Sequence, residues 1–235
     1  MIGPSQPDVL GSALMDYYRE KTDEPLILHN SYGDPEEMPL EVFFEAEDQL
    51  SELDQYALSL CRGSVLDVGA GAGKHSLILQ NKRKNVTALD NSPGSIKVME
   101  ARGVRQVIEA DIYSYERETY DTILLLMNGI GLAGNLQRLP ILLGKFKALL
   151  NPGGQVICDS SDISYLFSPT SDQSGHYYGE ISYAFEYQNQ RGRWFDWLYA
   201  DQKILLKSGH EGGFLTQIIY ENEEDEFLVR MIKKY

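Results

Sequence analysis

Cysteine is nearly missing from this chain: its 235 residues include only Cys61 and Cys158. Each lies beside an apolar, strand-like run and they show no metal-ligand spacing. The expectation is two buried, reduced thiols, with neither a disulfide framework nor a metal site. Long apolar runs are missing too. The longest, such as residues 123–127, fall far short of the roughly 18 residues a membrane span needs. The opening Met-Ile-Gly-Pro-Ser has neither the basic nor the apolar part of a leader peptide. A cytoplasmic protein with no membrane partner is therefore expected. Positive charge is scarce at one end. Residues 1–60 carry 14 Asp or Glu against Arg19 and Lys21, so most of the net charge of −14 lies there. Such a field repels phosphate backbones and argues against a nucleic-acid partner. Its plain reading is a solvated face; its sharper one is selection of a cationic substrate.

What is present suffices for one full core. With 43% hydrophobic residues, the expectation is an N-terminal helical cap over residues 1–60 and a main domain over 61–235. Apolar spacing near 3.6 predicts helices over 8–21 and 41–60, with a loop between them punctuated by Pro25, Gly33, Pro35 and Pro39 and carrying His29, Asn30, Tyr32 and Asp34. From residue 64 onward strands and helices alternate. Strands are expected at 64–68, 86–90, 106–110, 121–127 and 155–159, and helices at 74–82, 93–102 and 135–150, with a weak helical turn near 114–118. Alternation of this kind implies a mostly parallel sheet with right-handed crossovers. Ser92, Pro93 and Gly103 bracket the second of these helices, and Pro140 predicts a kink or a late start in the third.

Beyond residue 160 the period changes to two. Residues 180–187 and 193–197 alternate and are rich in aromatics, with Asn189-Gln190-Arg191-Gly192 as the expected turn. This insert, about 161–197, precedes a helix at 198–208 and a last strand pair at 214–220 and 226–232.

The chemistry starts at Val65-Leu66-Asp67-Val68-Gly69-Ala70-Gly71-Ala72-Gly73-Lys74. Here an apolar strand enters a glycine turn that opens a helix, a place where backbone and ligand approach closely. The dinucleotide fingerprint asks for glycine where Lys74 stands, which leaves a nicotinamide-dependent oxidoreductase as the weaker alternative. Asp90, closing the next strand, suits a ribose hydroxyl pair in either kind of site.

Taken with Glu109-Ala110-Asp111-Ile112, the strand Asp121–Asn128 and the turn Asn151-Pro152-Gly153-Gly154, the chain resembles the class I S-adenosylmethionine-dependent methyltransferases over about residues 60–160. The resemblance implies a doubly wound α/β fold with a seven-stranded sheet of order 3-2-1-4-5-7-6, one strand of the terminal hairpin being antiparallel. It also implies S-adenosyl-L-methionine as cofactor and a small-molecule acceptor; oligomeric state stays open. By the same resemblance Asp67 meets the methionyl amino group, directly or through water, and Gly69, Ala70, Gly71 and Gly73 let that end of the cofactor pass. Asp90 and Asn91 serve the ribose, and Asp111 and the Ile112 N–H serve the adenine. Asn128 sits where a substrate-facing polar residue is found in the family, beside the cofactor. There is no Asn-Pro-Pro-Tyr or Asp-Pro-Pro-Tyr there, which disfavours base amino-methylation. Candidate proton-handling residues are His176, Tyr178 and Asn128. Tyr32, Tyr165, Tyr177, Tyr178 and Trp197 are the candidate acceptor pocket, where aromatic faces attract a cation. A non-catalytic S-adenosylmethionine or S-adenosylhomocysteine binder is the remaining alternative.

Overall fold

The computed structural model describes residues 7–21, 24–167 and 177–234; His176 lies outside the described residues. In chain order the elements are α1 (Val9–Tyr18), β1 (Leu26–Asn30), β2 (Glu36–Met38), α2 (Glu52–Leu60), β3 (Ser64–Val68), α3 (Lys74–Asn81), β4 (Asn85–Asp90), α4 (Pro93–Arg102), β5 (Val107–Glu109), β6 (Tyr120–Leu125), α5 (Leu139–Leu149), β7 (Leu150–Ser161), β8 (Glu180–Tyr187), β9 (Gln190–Arg191), β10 (Phe195–Leu198), α6 (Gln202–Glu211), β11 (Phe214–Glu221) and β12 (Glu226–Lys233). Short 3-10 turns at Leu40–Phe43, Glu47–Gln49, Gly129–Ala133 and Ser164–Leu166 complete the set.

Seven strands form the main sheet in the order β11-β12-β7-β6-β3-β4-β5. The five strands β3 to β7 run parallel, and β12 lies antiparallel to both β7 and β11. This is the order 3-2-1-4-5-7-6 that the family resemblance implied. Strands β3 and β6 are apolar on both faces because helices cover both. On one face Leu66, Ile123, Leu125 and Val156 pack with Leu142, Leu143 and Phe146 of α5; on the other, Val65, Leu124 and Ile157 pack with Leu53, Ala57 and Leu58 of α2 and Leu79 of α3. Both cysteines are free and buried, and burial pushes the Cys61 thiol up to about 12 and the Cys158 thiol up as well. No helix among the described residues is long and apolar enough to cross a membrane.

The helix boundaries follow their caps. Ser92 Oγ accepts from the Ser95 N–H at the start of α4, Pro93 occupies its first turn, and Gly103 ends it at φ +89°. Pro140 falls in the first turn of α5, so that helix starts at Leu139; in a first turn the missing N–H has no intrahelical partner to lose. The weak turn expected at 114–118 does not become a helix. The adjacent Tyr115 and Tyr120 hydroxyls instead meet at 2.6 Å inside the core.

The N-terminal segment departs from the helical cap expected for it. Residues 26–30 and 36–38, expected as loop, are strands, and 41–51 is two 3-10 turns before the shorter α2. The reason is long-range. Strand β1 pairs antiparallel with β8, through Leu28 opposite Phe185 and Asn30 opposite Tyr183, so the aromatic insert supplies the edge on which the segment folds. The result is a second sheet, β10-β8-β1-β2 with β9 beside β8. The hairpin turn also shifts. Gln188 (φ +49°) and Asn189 (φ +61°) form a tight two-residue connection, and the Gly192 N–H donates back to the Phe185 carbonyl. Two consecutive positive φ values match the twist of the flanking strands.

Candidate functional site

The carboxyl ends of β3, β4, β6 and β7 meet at one edge of the main sheet, where the order of connection reverses between β3 and β6, the place where open α/β sheets bind ligands. The floor is the glycine turn. Gly69, Gly71 and Gly73 have φ of +72°, +55° and +79°, a region side chains rarely adopt. A Cβ at Gly73 would stand 3.0 Å from Met99 and Val104, and one at Gly71 3.3 Å from Phe43. At Gly69 the nearest neighbour would be Leu132 at 3.6 Å, and the residue itself is exposed. The turn is therefore packed at its helix end and open at its strand end. Ala70 beside it is half-buried.

Asp90 closes β4 against this turn. Its Oδ2 accepts from the Gly71 N–H at 2.8 Å and its Oδ1 from the Ser92 N–H at 2.9 Å. Each oxygen keeps a lone pair for a further donor. Burial raises its pKa, the Ser92, Gly71 and Asn91 N–H groups oppose the rise, and nearby Asp8 adds to it. Asn91 contributes that N–H, while its side chain is exposed. Asp111 Oδ1 accepts from the Tyr113 N–H at 2.9 Å, an ordinary turn contact. Its second oxygen and the Ile112 N–H have no protein partner among the described residues.

Asp67 sits deeper than the resemblance suggests, 2% exposed, its Oδ2 accepting from Ser76 Oγ at 2.6 Å. Burial raises its pKa against the pull of His75 and Ser76. Next to it Lys74 Nζ lies 2.9 Å from Glu45 Oε2 and 3.4 Å from Asp54 Oδ2, and His75 Nε2 lies 3.3 Å from the same Asp54 oxygen. Burial works against ionised Asp54, but His75 and Lys74 together hold its pKa below the ordinary value. His75 is thus buried beside Asp54 in a polar cluster joining α2, α3 and the N-terminal segment. Arg102 ties down the same segment. Its guanidinium donates to the carbonyls of Ala72 (2.6 Å), Phe43 (3.3 Å) and Phe44 (3.4 Å) and lies over the Phe44 ring.

Opposite Asp90, β6 ends in a strained turn: Met127 and Asn128 both have positive φ, +63° and +59°. Asp159, at the end of β7, pins it by accepting from the Asn128 N–H at 2.8 Å and the Gly129 N–H at 3.0 Å. Burial pushes the Asp159 pKa up to about 6 against those two donors, with Asp54 adding repulsion. The Asn128 side chain contacts the Tyr199 hydroxyl, and its Oδ1 is buried with no hydrogen-bond partner among the described residues. Tyr199 and Tyr183 share a hydrogen bond of 3.0 Å, and Tyr32 stands edge-on to Tyr183 with its hydroxyl 3.2 Å from Glu36. Trp197 packs against the 129–133 turn; a Cβ on Gly131 would fall 2.1 Å from its indole nitrogen.

The candidate residues therefore divide. Asp67, the glycines, Asp90, Asp111, Ile112 and Asn128 share the sheet edge, and Tyr32 and Trp197 join them through the second sheet. Tyr177 and Tyr178 are engaged elsewhere. Both hydroxyls reach Asp201 Oδ2, at 2.9 and 3.2 Å, and Tyr178 also reaches Asp162. Tyr165 is 70% exposed and lies near enough to Tyr199 to act on its hydroxyl electrostatically. Sequence reading missed Asp159, Tyr199, Asp54, Glu45 and Asp8. Of these only Asp159 carried a signal, as the acidic residue closing the fifth strand of the main sheet.

A family model described as a methyltransferase domain matches residues 65–154. No curated protein matches the chain significantly. Among solved structures, a methyltransferase from Bacteroides fragilis in complex with S-adenosyl-L-homocysteine is 37% identical, with a TM-score of 0.90 over 99% of this chain and 97% of that one. The sugar N-methyltransferase KedS8 from Streptoalloteichus (16% identity, TM-score 0.60, 87% of this chain and 96% of that one) shares the fold. So does CalS10, an amino pentose methyltransferase from Micromonospora echinaspora (15%, 0.55, 80% and 93%).

Proposed function

The chain belongs to the S-adenosylmethionine-dependent methyltransferases, and from that premise we propose that its acceptor is the nitrogen of an amine-bearing small molecule. Membership of this enzyme family sets aside both the non-catalytic binder and the nicotinamide-dependent oxidoreductase.

The observation that carries the proposal is the acceptor side of the crevice. The Asp159 carboxylate, the Asn128 side-chain Oδ1 and the Tyr183–Tyr199 hydroxyl pair gather there. A surface of acceptors and aromatic faces suits an amine or ammonium and disfavours an anionic substrate. The excess of acidic residues over positions 1–60 adds to the same field. That KedS8 and CalS10 are a sugar N-methyltransferase and an amino pentose methyltransferase supports nitrogen as an acceptor on this fold.

When bound, S-adenosylmethionine supplies an activated methyl group on its sulfonium. The residues present fit it: an exposed Gly69, an Asp90 with capacity left on both oxygens, and an Ile112 N–H without a partner among the described residues. Asp90 would take the ribose hydroxyls, Ile112 N–H and Asp111 the adenine edge, and Asp67 the amino group through a water. On the acceptor side Asp159, ionised above about pH 6, would take the proton of an arriving ammonium. Asn128 Oδ1 would hold a remaining N–H so that the nitrogen lone pair faces the methyl group.

Turnover with amines, phenols, thiols and carboxylic acids tests the acceptor class. Methylated amines are expected; preferential methylation of a phenol or thiol would overturn the nitrogen assignment. Asp90→Ala is expected to weaken S-adenosylhomocysteine binding, measured by calorimetry, by about 1–3 kcal/mol, the loss of a hydrogen-bonded carboxylate. Unchanged affinity would remove Asp90 from the ribose.

A further inference from the structure

Asp8, just ahead of α1, makes contacts that a helix cap alone does not require. Its Oδ1 accepts from the Gly11 N–H at 3.0 Å, which caps its own helix. Its Oδ2 accepts from the Gly94 N–H at 2.7 Å, in the first turn of α4, and both oxygens are within 2.9 Å of Ser92 Oγ. One carboxylate thus serves the positive ends of two helices. The approach is close enough to require glycine on both sides: a Cβ on Gly94 would stand 2.4 Å from the backbone of Gly11, and one on Gly11 2.4 Å from Ser92 Oγ.

Ser92 is the shared element. Its hydroxyl is held by Asp8, and its own N–H donates to Asp90 Oδ1 at 2.9 Å. The other Asp90 oxygen is fixed from the glycine turn by Gly71. Asp90 is thus oriented from two sides: by the turn, which is local to the sheet, and by Ser92, whose place is set from a helix some eighty residues earlier in the chain.

We propose that Asp8 is a positioning residue for the cofactor: through Ser92 it aims the Asp90 carboxylate at the ribose, so that docking of α1 onto α4 is a condition of tight cofactor binding. The inference rests on the ribose role of Asp90 proposed above. It gives the N-terminal segment a part in holding the cofactor as well as in facing the acceptor.

Asp8→Asn separates the two duties of the side chain. Asparagine caps a helix about as well as aspartate, so Oδ1 keeps the Gly11 N–H, while its NH2 group faces the Gly94 N–H, donor against donor. Calorimetry is to be run with S-adenosylhomocysteine and with its 2′,3′-dideoxy analogue, on wild type, Asp8→Asn, Ser92→Ala and Asp90→Ala, with thermal unfolding as the check on folding. The expected result is an S-adenosylhomocysteine affinity about tenfold weaker in Asp8→Asn, the scale of one charge-assisted hydrogen bond. For the dideoxy analogue, which gives Asp90 nothing to hold, Asp8→Asn should bind like wild type. An equal loss for both ligands would mean a general structural role and overturn the proposal. So would unchanged S-adenosylhomocysteine affinity in Asp8→Asn alongside a loss in Asp90→Ala. If Asp90→Ala itself loses nothing, the ribose assignment falls first and takes this inference with it.

Discussion

Replacing Lys74 with methionine should lower folding stability by about 3–5 kcal/mol, the cost of breaking a buried ion pair from one side. Lys74 is 5% exposed, and its ammonium is held between Glu45 and Asp54. Without it Asp54 keeps only His75 among the described residues, with Asp67 and Asp159 close enough to repel it. The pH signature follows from the direction of the Asp54 shift. Its folded-state pKa is depressed, so its contribution is present above the ordinary carboxylate range and disappears as pH falls through the lower, folded value. Lys74→Met should flatten that acid limb. Replacing both partners, Lys74→Met with Asp54→Leu, should recover much of the loss, because apolar groups of similar size avoid the desolvation of the pair. Urea unfolding of the three proteins decides it; a loss under about 1 kcal/mol for Lys74→Met would show the cluster to be solvated and weak.

The second large effect is expected at Asp159. Asp159→Asn keeps the volume but can accept only one of the two N–H groups that pin Met127 and Asn128 in their strained turn. We expect kcat/KM to fall by about 100-fold, the lower range for losing a proton acceptor. In the wild type, kcat/KM for an amine should rise with pH through about 6, the Asp159 value; in Asp159→Asn that limb should vanish. Stability should move the other way. Because the folded-state pKa lies above the ordinary one, the native state binds the extra proton between about pH 4 and 6. Stability therefore declines across that window, by about 1–3 kcal/mol after discounting for partial exposure, and is flat above it. A wild-type rate profile without inflection near 6, or one unchanged in Asp159→Asn, would remove Asp159 from the proton path.

Much of the proposed cofactor side could be named in advance because its signals are local. A glycine that must take positive φ, an acid that ends a strand, and a serine and proline that open a helix each act within a few residues of themselves. Gly69, Asp90 and the Ser92–Pro93 cap are read from such short spans. Asp8 was not legible, because its partners Ser92 and Gly94 lie far along the chain and nothing about an aspartate before a helix names a second helix. Tyr199 was not legible either: one residue past β10, it is indistinguishable from the neighbouring aromatics until Asn128 is beside it.

The sequence alone determined the strand–helix alternation of a mostly parallel sheet and the position of its glycine turn, because both are signals between neighbours in the chain, while the order of the strands was what the family resemblance implied. Tertiary structure decided the rest. Residues 26–30 pass for loop because Pro25, Gly33, Pro35 and Pro39 punctuate the stretch around them, and they become a strand because β8 offers an unpaired edge whose hydrogen bonds must be met. Likewise Lys74 reads as a missing glycine until Glu45 and Asp54 arrive from the other end of the segment. Periodicity and capping are properties of neighbours in the chain, whereas edge pairing and buried charge compensation are properties of neighbours in space.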